Sequence, residues 1–135
     1  MRKKVQVKSL KFSVSKFLKS FVYAIRGIGE VFRQEQNFKV HILATVLVIV
    51  FGLWLRVSPI EWCILFLTVS LVLAAEMLNT ALEKLCDLTH PEQNETVRII
   101  KDISAGMVLV CAIGALCTGL VIFLPKLIEL AIAFF

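Results

Sequence analysis

The sequence offers almost nothing to a zinc site. Its four cysteines, Cys63, Cys86, Cys111 and Cys117, form no CxxC pair and have no histidine near enough to complete a ligand set. Three of them lie in apolar runs, where a thiol behaves as a small hydrophobe. Neither GxGxxG nor a Walker A sequence occurs, so the common glycine-rich phosphate loops are excluded. Basic residues do not interleave with aromatics in any nucleic-acid-reading motif, and nucleic acid is not expected as a partner. The first apolar run begins only near residue 42, with no small-residue cleavage site after it, which argues against a signal peptide.

What is present is apolar bulk. Of 135 residues, 59% are hydrophobic, which predicts an integral membrane protein of one domain. The net charge of +5 is concentrated at one end, since ten of the fifteen Lys and Arg fall in residues 1–39. Beside apolar spans, that bias predicts a cytoplasmic N-terminus that is drawn to anionic headgroups.

The chain divides by pattern. Residues 1–9 are basic and polar and are expected to be disordered. Over residues 10–34, Leu10, Val14, Phe17, Leu18, Phe21, Ile25, Ile28 and Phe32 recur at helical steps with the charged residues mostly opposite. That spacing predicts an amphipathic helix lying at the cytoplasmic interface. The core at 35–124 carries three predicted spans, about 41–57, 60–87 and 101–124. Ser58-Pro59 makes the outer turn, 88–97 a polar cytoplasmic loop, and 125–135 a short outer tail after Pro125. Ala105, Ala112, Ala115 and Gly119 give the third span a small-residue seam for close helix packing. The predicted class is therefore all-α, with three transmembrane helices behind an interfacial one.

The second span holds what composition does not explain. Glu76, Asn79, Thr80, Glu83 and Asp87 share one helical stripe, because steps of three and four return to one face. Charge near hydrocarbon costs a few kcal/mol or more, so such groups face a protein interior or a polar cavity and serve some function there. By depth, the stripe shares a layer with Glu35, Lys101 and Asp102. Two carboxylates on different helices, Glu35 and Glu83, suit magnesium, which takes about one or two carboxylates plus phosphate oxygens. Glu76 lies about 10 Å deeper than Glu83 at 1.5 Å per residue, where desolvation favours proton uptake by a carboxylate. Lys16, Lys19 and Lys101 offer charge to nucleotide phosphates. These are parts for phosphoryl transfer at a membrane surface.

Glu76-Met-Leu-Asn79-Thr-Ala-Leu-Glu83 with Asp87, then Lys101-Asp102 followed by Ile-Ser-Ala-Gly, resembles the signature of the prokaryotic diacylglycerol kinase family. The resemblance covers roughly residues 16–124. It implies a kinase of the bacterial plasma membrane, usually a homotrimer with active sites shared between subunits on the cytoplasmic side. Such an enzyme moves the ATP γ-phosphate onto a lipid alcohol. Carried over by residue, Glu76 matches the general base that meets the lipid, with Asn79 supporting it. Glu35 and Glu83 match metal-chelating, nucleotide-side glutamates. Lys101 and Asp102 match the nucleotide pair, and Tyr23 and Glu92 match further nucleotide contacts. Lys16 stands where the diacylglycerol branch has an arginine, keeping the charge but losing bidentate phosphate binding. Gln34-Glu35-Gln36-Asn37-Phe38-Lys39-Val40-His41 resembles instead the branch that phosphorylates undecaprenol. Undecaprenol is thus the expected acceptor, with diacylglycerol as the alternative.

Simpler readings exist for single residues. Asn79 or Thr80 alone would be interhelical hydrogen-bond glue. Glu61, Glu129 and Asp87 read as solvated or interfacial, Asp87 also as a secondary site, and His41 as a headgroup contact. A proton or cation channel, or a helper subunit, is the competing class. It would need acids spread through the membrane's depth, whereas here they gather at one interface with lysines.

Overall fold

The computed structural model describes residues 13–89 and 94–134. The basic segment 1–9, the start of the expected amphipathic helix and Glu92 lie outside the described residues. Four helices follow in order: α1 (Val14–Gln34), α2 (Gln36–Trp54), α3 (Pro59–Thr89) and α4 (Glu95–Phe134). α2, α3 and α4 are long and apolar enough to cross a membrane.

Ser13 caps α1, its Oγ accepting from the Lys16 N–H at 3.5 Å. Most of the apolar side of α1 is exposed, and among the described residues of this helix only Val31 is buried. One residue, Glu35, separates α1 from α2. Its backbone is extended (φ −98°, ψ 121°), and it serves as C-cap of α1 and N-cap of α2 at once. The chain can therefore turn from α1 into the first span without a loop.

The Ser58 end of the bundle is closed by two interlocked caps. Arg56 takes a left-handed φ of 51°, so the Val57 N–H reaches the Gly52 carbonyl at 3.0 Å and the Arg56 N–H the Leu53 carbonyl at 3.4 Å. This is a Schellman stop with arginine in the place glycine usually takes. A capping box then starts α3: the Ser58 N–H donates to Glu61 Oε2 at 2.6 Å and the Glu61 N–H to Ser58 Oγ at 3.3 Å. Pro59 fills the first helical position, where a missing N–H costs nothing. Glu61 also pairs with Lys126 at 3.2 Å, so it ties α3 to α4 as well as facing solvent.

Behind these caps, Val57, Leu65 and Ile122 form a small core with Val48, Trp62 and Phe123 packed on it. Gly52 is required here, because a Cβ at this position would lie 2.6 and 2.8 Å from the Trp62 ring. That ring is stacked on Phe66 with centroids 5.1 Å apart, so it cannot yield freely. Gly52→Ala should cost about 1–3 kcal/mol of stability through overpacking, read as a lowered melting temperature in detergent. In a Trp62→Leu background the same change should be nearly neutral.

α3 and α4 form the main helix pair, α2 leans on α3, and α1 touches α2 and α3 but not α4. The buried face of α4 runs through Ser104, Val108 and Ile122. The small-residue seam is thus only partly used inside the chain: Ala105 is exposed, while Ala112 and Ala115 border a cavity of about 280 Å³ between α2, α3 and α4. Of the four free cysteines, only Cys86 is buried.

α4 differs from its expected length at both ends. It begins at Glu95 and continues through Pro125 to Phe134, so the proline does not end the helix and residues 126–134 extend it. A proline inside a helix removes one hydrogen bond and can kink the helix without ending it. The Lys126–Glu61 pair at 3.2 Å holds the segment just past the proline against α3.

Candidate functional site

The acidic stripe of α3 faces the protein interior at its deep end and emerges along its length. Glu76 is 2% exposed, Asn79 8% and Thr80 2%. Glu83 is half-buried and Asp87 exposed. Thr80 Oγ1 donates to its own helix, to the Glu76 carbonyl at 3.1 Å, and so bridges no helices. Asn79 does bridge them. Its Nδ2 donates to Glu83 Oε1 at 3.0 Å, and its Oδ1 accepts from Ser104 Oγ of α4 at 2.6 Å.

The Glu76 carboxylate accepts no hydrogen bond from any described residue. The charges that act on it from nearby are His41, Glu35 and Glu83. Two helices and one interhelical joint therefore supply the ionisable neighbours of this carboxylate: His41 from α2, Glu83 from α3, and Glu35 from the break between α1 and α2. Glu83 also acts electrostatically on Lys101 of α4, behind the stronger effect of Asp87. Among the described residues no group of three or more His, Cys, Asp or Glu closes into a metal-binding set. Glu35 and Glu83 instead offer two separate carboxylates to one region. Hard oxygen donors in that number fit magnesium, whose remaining positions are filled by water and phosphate.

Lys101 and Asp102 do not pair with each other. Lys101 Nζ meets Asp87 Oδ1 of α3 at 2.6 Å, and Asp102 meets Arg98 at 2.8 Å, which also holds Glu95 at 2.6 Å. Adjacent helical residues point about 100° apart, so each finds its own neighbour. Next to them lies a cavity of about 400 Å³ lined by Asn94, Glu95, Val97, Arg98 and Lys101. Lys16 and Tyr23 are exposed on α1. Because α1 makes no contact with α4, one chain does not bring Lys16 and Tyr23 together with Lys101 and Asp102.

Several members of this site carry no strong signal in the sequence. Ser104 lies three residues after Lys101 and four before buried Val108, so helical spacing alone could have turned it inward. His41 reads as a boundary residue until α2 is packed beside Glu76. Lys84 donates to Gln34, and Gln34 in turn to Glu30, joining α3 to the end of α1 beside Glu35.

The comparisons with known proteins agree with one another. The profile of the prokaryotic diacylglycerol kinase family matches residues 22–123. The chain is 42% identical over 114 residues to the undecaprenol kinase of Bacillus subtilis (strain 168), covering 84% of this chain and 93% of that one. It is 40% identical over 116 residues to the diacylglycerol kinase of Synechocystis sp., covering 85% and 66%. Against the diacylglycerol kinase of Escherichia coli (strain K12) it is 30% identical over 104 residues, covering 77% and 85%.

Proposed function

The chain belongs to the prokaryotic diacylglycerol kinase family and is a lipid kinase, and from that premise we propose that it transfers the γ-phosphate of ATP to undecaprenol at the cytoplasmic face of the bacterial plasma membrane. The observation that carries the reading is Glu76. It is a buried carboxylate without a described hydrogen-bond partner, on the same helical stripe as the ladder that holds Glu83 and about two turns from it. The choice of undecaprenol over diacylglycerol is supported by the Bacillus subtilis relative and by the Gln36–His41 segment.

Length supports two roles for the two carboxylates. Glu76 lies about 26 Å along α3 from Pro59 and Glu83 about 36 Å, at 1.5 Å per residue. A hydrocarbon layer of ~30 Å starting near Pro59 ends between them. Glu76 can therefore meet a hydroxyl that stays with the lipid, while Glu83 meets a solute.

In the proposed reaction Glu76 takes the proton of the lipid hydroxyl as its oxygen attacks the γ-phosphorus in line. The new O–P bond forms as the bond to the β,γ-bridging oxygen breaks, and ADP leaves. Glu35 and Glu83 would hold magnesium, which neutralises phosphate charge when bound. Lys101, once drawn from Asp87, and Lys16 stabilise the moving phosphoryl group. Asp102, Tyr23 and Glu92 complete the nucleotide contacts, and the cavity at Arg98 and Lys101 is the groove for them. The separation of α1 from α4 within one chain supports a homotrimer in which one subunit's α1 completes its neighbour's site. The exposed apolar side of α1 supports its lying on the bilayer surface.

Purified protein in mixed micelles with magnesium and labelled ATP, offered undecaprenol and diacylglycerol together, should label undecaprenol faster. Preference for diacylglycerol would overturn the acceptor. No transfer to either would restore the channel or helper reading.

A further inference from the structure

We infer that Ser104 is a positioning residue for the metal carboxylate: its hydroxyl orients the Asn79 amide, and the amide orients Glu83. The inference rests on the metal role proposed for Glu83.

Ser104 is 2% exposed, on the face of α4 that packs against α3. Its Oγ is 2.6 Å from Asn79 Oδ1 and 2.9 Å from the Lys101 carbonyl, so one proton faces two acceptors. The contact to Asn79 is the shorter, and two oxygens at that distance need the proton between them. With Oδ1 held by the hydroxyl, the amide has only its Nδ2 to give to Glu83 Oε1, at 3.0 Å. A reversed amide would set its oxygen against the carboxylate, two acceptors facing each other. Glu83 disfavours that flip from α3, and the serine proton is the described contact from α4 that reinforces the same choice and fixes the amide plane.

The consequence falls on Glu83. Donation to Oε1 fixes the carboxylate plane and leaves Oε2 as the oxygen available to a cation. Groups that orient a metal ligand from behind tune its affinity for the metal. Ser104 touches neither the lipid nor the phosphate in this reading, so its loss should be felt in metal binding rather than at saturating metal. Plain interhelical glue would behave differently, lowering stability while leaving the metal requirement alone.

The test is full-length protein in detergent micelles with ATP and Mn²⁺. Binding is read by electron paramagnetic resonance, which needs no turnover, alongside the Mg²⁺ concentration for half-maximal activity. Ser104→Ala should weaken Mn²⁺ binding and raise that Mg²⁺ concentration by about tenfold, the usual effect of losing such a group, with kcat at saturating Mg²⁺ within about twofold. Ser104→Thr should restore both values, because a cavity of about 220 Å³ lined by Leu78, Leu82, Ser104 and Met107 has room for the added methyl. Should the alanine chain fail to fold, Ser104→Cys, a weaker donor of similar shape, should show the same shift in smaller measure. Unchanged metal constants in the folded variant, a fall in kcat alone, or no Mn²⁺ binding by the parent protein would each overturn the inference. A parent protein that binds Mn²⁺ but phosphorylates neither lipid sinks the proposed reaction instead, and the Mn²⁺ values still decide the role of Ser104.

Discussion

Glu76→Gln should remove lipid phosphorylation by about 10²–10⁴-fold, the usual worth of a positioned general base, while MgATP binds as before. The substitution keeps the shape of a side chain that is 2% exposed and whose carboxylate accepts no hydrogen bond from any described residue. No hydrogen-bond donor is stranded by the loss of charge. Relief of burial and of the like charges on Glu35 and Glu83 opposes the lost attraction to His41, so the variant should melt close to its parent. Turnover at saturating ATP and lipid, with ATP binding by titration calorimetry, separates the two effects. Weakened ATP binding with turnover within about tenfold of the parent, less than a general base supplies, would sink the assignment.

Glu83→Gln isolates a different step. Glutamine can still accept the Asn79 bond through its own carbonyl oxygen, so the ladder to Ser104 survives and only the charge is lost. A metal's stabilisation of transition-state charge is worth several kcal/mol, which corresponds to about 10²-fold or more in kcat/KM. The loss should be accompanied by a collapse of Mn²⁺ binding in the presence of ATP, with lipid KM unchanged. Adding Ser104→Ala to this variant should cost no further activity, since groups acting through one another are not additive. A variant that keeps the parent's Mg²⁺ dependence would move the metal elsewhere.

How much of this the sequence reveals depends on whether the information is local to one helix. The inward stripe of α3 is local: the spacing of Glu76, Asn79 and Thr80 places them on one face, and all three are buried. The three long apolar helices are legible for the same reason, and so is the family. What lies between helices is not legible. The Ser104–Asn79 and Lys101–Asp87 contacts depend on how far α4 slides past α3, and hydropathy leaves that offset open by a turn or more. Pro125 misleads for another reason, because a proline marks either a helix end or a kink within a continuing helix, and the sequence around it does not decide between them.

The single residue between α1 and α2 has a mechanical consequence. Loops of several residues let neighbouring helices drift independently, since many small torsions share the motion. Here Glu35 alone carries the joint, so any swing of α1 against the first span is a rotation about that residue's own φ and ψ. Its carboxylate is mounted on the axle. A swing of α1 therefore carries the backbone of Glu35 with it, and the Lys84–Gln34 hydrogen bond ties the end of α1 to α3.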